Sequence, residues 1–268
     1  MLSLSPLTLL PCSPLELIDV ALDAGFDAVG LRLFPVMPTD VDVLADRGLQ
    51  KAIQQRLSTS GLQVLDVEVV RISPNTDIAG LQPSLEFAAG VGARTFAVTA
   101  PLRGDYKPED EGPTARKLRE LCELASRYGI KPTIEFMIFR GVGTLEEAVR
   151  LVNLVDHPNL GICVDALHLQ RSGGTPESLG AIDKSLLSCF QICDAPAEAP
   201  QDVQKEARFG RLYPGEGALP LAQMLDVLPS EIPVAVEAPA VAHAGDSLKA
   251  RAHDVARRTR AILASRAH

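Results

Sequence analysis

No stretch of this chain approaches the apolar length needed to cross a bilayer, so a membrane role is not expected. The opening run, MLSLSPLTLLPCS, has no positively charged n-region and is broken by prolines, which argues against a secretory signal. The five cysteines, Cys12, Cys122, Cys163, Cys189 and Cys193, include no C-x-x-C pair, and their number is odd. Three of them sit in strand-like apolar runs, a pattern that fits reduced, mostly buried thiols in a cytoplasm. No block of Lys and Arg stands out except at the basic end of the last helix, ARRTRAILASR, which reads as a solvated face. With a formal net charge of −8, the balance is the reverse of what a duplex-binding surface needs, and no nucleic-acid partner is expected. The turn after the first apolar run, LLPCSPLEL, carries neither G-x-G-x-x-G nor a P-loop, which disfavours a doubly wound nucleotide fold. There is also no linker long enough to divide the chain, so 1–268 is read as one domain.

What is present is ample core material, 46% hydrophobic residues against 22% charged. Short apolar runs occur at 2–10, 27–33, 62–70, 95–100, 131–137, 160–167, 187–194 and 233–239, with amphipathic stretches between them. Helix starts are marked by Ser13-Pro14 with Glu16, by Thr144 with Glu147, and by Thr175-Pro176. Eight strands alternating with helices, in units of about thirty residues, predict a single α/β (β/α)8 TIM barrel. The longest irregular segment, 195–217, follows the seventh strand; a loop of that length is usually functional or mobile.

Four strands share one peculiarity. They read T-I-E-F-M around Glu135, C-V-D-A-L around Asp165, C-F-Q-I-C around Gln191 and A-V-E-A-P around Glu237. Side chains alternate along a strand, so bulky residues such as Ile162, Val164, Phe190 and Val236 take one face. Small residues and one oxygen-bearing side chain take the other, the barrel axis, near the strand ends where barrel active sites lie. Three carboxylates cannot gather there as free anions, because repulsion and desolvation would protonate some of them. A divalent cation removes the conflict, and all-oxygen ligands favour Mg²⁺ or Mn²⁺, with Zn²⁺ or Co²⁺ as alternatives. The metal set is therefore Glu135, Asp165, Gln191 and Glu237. His168, three residues past Asp165, is a candidate for catalysis or substrate binding. His157 precedes a strand at the other end of the barrel and is assigned no function.

These residues resemble the xylose-isomerase-like barrel superfamily of sugar isomerases, epimerases and related lyases. I-E-F, V-D-A-L-H, F-Q-I-C-D-A-P, R-x-x-R-L-Y-P-G-E-G and V-E-A-P occur in that family's order and spacing. The resemblance implies that the four strand-end residues hold one divalent metal and that Arg211 contacts substrate, with Arg208 a second candidate. It implies that His168 matches a family histidine, and that glutamine at 191 is the variant found in hydroxypyruvate isomerases and bacterial 3-dehydroshikimate dehydratases. It also implies a homo-oligomer, with the LYPGEG loop and the last helix as contacts. One departure is clear: where many members have a strand-two glutamate, this chain has Gly30, with Arg32 beyond. Arg32, Glu68 and Arg71 are candidates to line the pocket; ordinary salt-bridging around the rim is the competing reading. No cluster of basic residues marks a phosphate site, so a phosphorylated sugar is no better supported than a free one.

Three functions remain open on these grounds. The first is isomerisation or epimerisation of a small sugar or hydroxy-ketone through a metal-stabilised enediolate, with Glu135 and Glu237 as the acid/base pair. The second is dehydration of a cyclic hydroxy-ketone, a lyase reaction resembling that of 3-dehydroshikimate or inosose dehydratases, with His168 carrying the proton. The third is a barrel that binds partners without catalysis.

Overall fold

Each of the eight apolar runs becomes a strand: β1 (Leu2–Leu4), β2 (Ala28–Arg32), β3 (Gln63–Arg71), β4 (Thr95–Thr99), β5 (Lys131–Glu135), β6 (Gly161–Asp165), β7 (Leu187–Ile192) and β8 (Val234–Val236). All pair in parallel with their sequence neighbours, and β8 returns to β1, closing the barrel. The computed structural model describes residues 1–265. Among the described residues, ten α-helices lie between and after the strands: α1 (Pro14–Asp23), α2 (Arg47–Ser60), α3 (Gln82–Gly90), α4 (Glu111–Ser126), α5 (Leu145–Val155), α6 (Ala166–Arg171), α7 (Pro176–Ala181), α8 (Val203–Phe209), α9 (Leu221–Asp226) and α10 (Leu248–Ala264).

The split between strand faces produces two apolar layers. Ile162, Val164, Phe190, Ile192, Val234 and Val236 belong to the main core between sheet and helices. Ala28, Leu65, Cys163, Cys189 and Ala235 form a separate cluster inside the barrel. Each large side chain in the outer layer contributes about 1.5–3 kcal/mol by leaving water, so this layer holds the strands in register. All five cysteines are free thiols, and four of them are buried.

Two expectations from the sequence change in detail. The first strand was expected over 2–10, but it stops at Leu4, and Pro6–Leu9 turn into a short 3-10 helix. That turn is fastened at both ends of the chain: Thr8 Oγ1 donates to Val236 O (2.8 Å), and the buried Arg251 of α10 donates to Thr8 O (2.8 Å) and Leu9 O (3.3 Å). At the start of α5, Thr144 caps Glu147 N, but Glu147 turns away to Gly143 N (2.6 Å) and Arg103 (2.9 Å), so the box is not reciprocal. Ser13 and Glu16 do form the full box at α1.

The long segment after β7 is ordered by specific polar contacts. It contains α8, whose Glu206 makes a bidentate, almost fully buried pair with Arg171 (2.7 and 2.9 Å). Asp194, from F-Q-I-C-D-A-P, accepts from Ala195, Gly215 and Leu219 N–H groups (2.9, 2.9 and 3.0 Å). One carboxylate therefore ties the end of β7 to the distant L-Y-P-G-E-G turn, where Gly215 has a φ of +89° that suits glycine.

Candidate active site

The apolar cluster inside the barrel forms a floor. Two residues further along the same strand faces, Cys163 gives way to Asp165, Cys189 to Gln191 and Ala235 to Glu237. Glu135 at the end of β5 pairs in register with Cys163, and Asp165 pairs with Gln191. Glu135, Asp165 and Glu237 are buried, and each offers one oxygen within 4.8 Å of the others. Oxygens on opposite sides of one hard divalent ion lie about 4–5 Å apart, so this spacing suits a shared cation.

Arg211 reaches the same point. Its guanidinium donates from Nη1 to Asp165 Oδ2 (2.5 Å) and to Glu237 O (2.8 Å), while Nη2 lies 3.2 Å from Glu237 Oε2. Nε donates to Ala207 O (2.9 Å), which fixes the group from behind. Burial works against this charge, but Asp165, Cys193 and Glu237 outweigh it and keep Arg211 firmly protonated. Asp165 accepts the His168 N–H on its other oxygen (2.9 Å), so it also caps α6. His168 sits in the first turn of α6 with its ring against Phe139 (5.7 Å, edge-on). Its Nε2 is 3.7 Å from Glu135 Oε1 and 3.4 Å from Arg211 Nη2. Burial, then the charges of Arg211 and Arg140, push its pKa well down, so the ring is neutral near pH 7.

Three carboxylates against one guanidinium leave an excess of two negative charges when all are ionised. The strain shows in Glu135: burial, then Glu237 and Asp165, push its pKa well above the usual carboxylate range. Burial likewise raises Glu237, although Arg211 opposes the shift. Glu135 Oε1 and Gln191 Oε1 are buried without a hydrogen-bond partner. A divalent ion would fit these residues: it would balance the excess and give the orphaned Glu135 oxygen a partner.

The N-terminal half differs from the carboxylate end. β2 and β3 slip register between Val29 and Gly30, so one residue of β3 has no partner there. Leu65 joins the floor, and Asp66 next to it also faces the interior, where Glu68, Glu237 and Arg32 act on its charge. A Cβ on Gly30 would lie 2.8 Å from Asp66 Oδ1, so glycine makes room for this carboxyl. Arg32 donates to Glu68 Oε1 from Nη2 (2.6 Å) and Nε (3.0 Å), with Asp40 at 3.3 Å.

Burial, then Glu68 and Glu237, raise Asp66 well above its ordinary pKa. A raised carboxyl contributes stability that is full below the unfolded pKa and is lost as pH rises. Asp66→Asn mimics the protonated acid. Its melting temperature is expected to match wild type near about pH 4 and to exceed it increasingly towards about pH 8. A constant difference across that range in thermal melts would show that Asp66 is ionised in the native protein.

One cleft, open to solvent, gathers most of the candidates: Arg32, Glu68, Arg71, Glu135, His168, Arg208, Arg211 and Glu237 line it. Asp165 is fully buried beneath it behind Arg211, and Gln191 is buried beside Asp165. Sequence reasoning missed Arg140, which also lines the cleft from the β5–α5 loop. It also found no basic cluster, whereas the fold brings Arg71, Arg140 and Arg208 to this one cleft. Glu216, His243 and Asp254 also converge elsewhere, but Arg258 bridges Glu216 (3.0 Å) and Asp254 (2.9 Å) and supplies the positive charge there.

The chain is similar in sequence or fold to several known proteins. A 3-dehydroshikimate dehydratase of Pseudomonas putida is 27% identical over 218 residues, 78% of this chain. The chain spans about a third of that relative's length, 33%. An inosose isomerase of Bacillus velezensis is 26% identical over 216 residues, 76% of this chain and 74% of the relative. A crystal structure described as IOLI protein with a binding zinc atom has the same fold, with a TM-score of 0.85 at 22% identity over 98% of both chains. A family model described as xylose isomerase-like TIM barrel matches residues 18–259.

Proposed function

Because the chain belongs to the xylose isomerase-like TIM-barrel family, we propose that it is a divalent-metal-dependent isomerase or epimerase of a small sugar or hydroxy-ketone. The observation that carries this reading is the convergence of Glu135, Asp165 and Glu237 with two negative charges in excess, beside the orphaned oxygens of Glu135 and Gln191. Mg²⁺ and Mn²⁺ suit the oxygen donors, and the zinc named for the IOLI structure keeps Zn²⁺ in the comparison.

Glu135, Asp165, Gln191 and Glu237 would hold the ion. When bound, it would polarise a substrate carbonyl and acidify the neighbouring C–H. Glu135, the last residue of β5, and Glu237, the first past β8, would take a proton from one carbon and return one to its neighbour. Ser5 Oγ donates to Glu237 Oε1 (3.0 Å) and fixes that carboxylate's orientation. His168, neutral and beside Glu135, would accept a proton from a substrate hydroxyl. Arg211 would hold the cluster together and present one edge to substrate.

A second reading, dehydration of a cyclic hydroxy-ketone, draws support from the name of the Pseudomonas relative and from His168, which could receive the abstracted proton from Glu135 and pass it to a departing hydroxyl. Both readings start from the same proton abstraction. The test is turnover in D₂O by protein loaded with Mn²⁺, Mg²⁺ or Zn²⁺, using ketoses, inosose and 3-dehydroshikimate. Deuterium entering beside the carbonyl with the skeleton intact supports the isomerase; an absorbing, dehydrated product supports the lyase. A protein that takes up no metal from any of the three solutions would overturn both.

A further inference from the structure

Among the described residues, three arginines in or near the cleft are each answered by an acid, while the buried Arg251 bonds the carbonyls of Thr8, Leu9 and Leu10. Arg32 has Glu68, Arg211 has Asp165 and Glu237, and Arg171 has Glu206. Arg71, Arg140 and Arg208 line the same cleft, and among the described residues none of them makes an ion pair or a side-chain hydrogen bond. Arg140 is the telling one. It is 7% exposed, and its Nε is buried without a partner. The Phe139 ring lies against its guanidinium, with the centroid 5.8 Å from Cζ.

This placement is not an accident of a loose loop. Arg140 pairs across an isolated bridge with Leu102, its N–H donates to Met137 O (2.7 Å), and Gly141 N donates to Pro101 O (2.9 Å). Arg71 is the last residue of β3, in register with Thr99. Arg208 lies on α8, which the buried Glu206–Arg171 pair anchors. Three separate elements thus carry three like charges to one place. Burial, then Arg71 and Arg208, already weaken Arg140's hold on its proton. Glu135 opposes this without reversing it, and Glu68 and Glu237 are taken by Arg32 and Arg211. A buried, unpaired guanidinium is costly, and its planar fork matches a planar or tetrahedral oxyanion.

We propose that the substrate is an anion whose oxyacid group, a carboxylate or a phosphate, is received by Arg71, Arg140 and Arg208. Its carbonyl end faces the carboxylate cluster. This rests on the cleft being the substrate site, and it narrows the substrate from sugars in general to acidic hydroxy-carbonyl compounds.

The experiment is calorimetric binding to metal-loaded protein, which needs no turnover. Inosose and 3-dehydroshikimate are both cyclic hydroxy-ketones, the first neutral and the second a carboxylate; fructose and fructose 6-phosphate make the phosphate pair. Wild type is expected to favour at least one charged member over its neutral partner, with affinity that falls as salt is added. Arg140→Met should weaken that charged ligand by about 10- to 100-fold, leave its neutral partner unchanged, and keep or raise the melting temperature. The pair that responds names the oxyanion. Equal binding of charged and neutral members, or an equal loss for both with a lowered melting temperature, would overturn the proposal. A protein that binds the anion through Arg140 but exchanges no deuterium keeps this inference and loses the isomerase and lyase readings. One that turns over inosose without preferring any anion does the reverse.

Discussion

Glu135→Gln is expected to leave the barrel folded and to lower deuterium exchange into substrate by about 10²–10⁴-fold, the range for losing a positioned acid/base group. The side chain keeps its length and one carbonyl oxygen. Glu135 Oε1 has no hydrogen-bond partner in the protein, so the amide breaks no native bond there. Burial and the neighbouring carboxylates disfavour the ionised form, so the neutral amide also relieves repulsion when no metal is bound. The metal-free variant should therefore melt at or above the wild-type temperature while catalysis collapses. Opposite signs for stability and rate are the signature to look for. Exchange within roughly threefold of wild type would remove Glu135 from the chemistry.

Asp165→Ala should do the reverse of that on stability. Asp165 is fully buried, and its two oxygens serve Arg211 Nη1 and the first turn of α6. Its removal strands Arg211, which is 2% exposed, and breaking a buried pair in this way costs about 3–5 kcal/mol. Loss of the α6 cap adds about 1 kcal/mol. Urea denaturation should register the sum, and elemental analysis should show the metal gone. Arg211→Met in the same chain removes the stranded charge, so the double variant is expected to be more stable than Asp165→Ala alone. If it were less stable, the two side chains would act independently and the strut would not exist.

The parts of this architecture that were legible in the sequence are those written within single strands. Small-and-oxygen against bulky, repeated around Glu135, Asp165, Gln191 and Glu237, assigns both faces without knowledge of any loop. Asp66 and Glu68 do share a face as their spacing implies, but Leu65 joins them inside because of a register slip that alternation cannot foretell. Arg140 was invisible for another reason. In F-M-I-F-R-G-V-G it is one arginine in a loop, and its meaning comes from Arg71 and Arg208, which lie 69 and 68 positions away on other elements. The same holds for Asp194, whose role becomes clear only when the L-Y-P-G-E-G turn folds back onto it. The segment 195–217 looked irregular because its order is carried by such long-range polar contacts rather than by periodicity.

The closure of β8 on β1 also sets a clock on synthesis. Ser5 meets Glu237 across a separation of 232 residues, and Thr8 meets Arg251 across 243. At about 5–20 residues per second, a ribosome needs roughly 10–50 s to deliver Glu237 after Ser5. During that interval β1 has no β8 to pair with, and the cluster lacks its last carboxylate. The nascent chain is thus an open, edge-bearing sheet until β8 emerges, and only then does the carboxylate cluster gain Glu237.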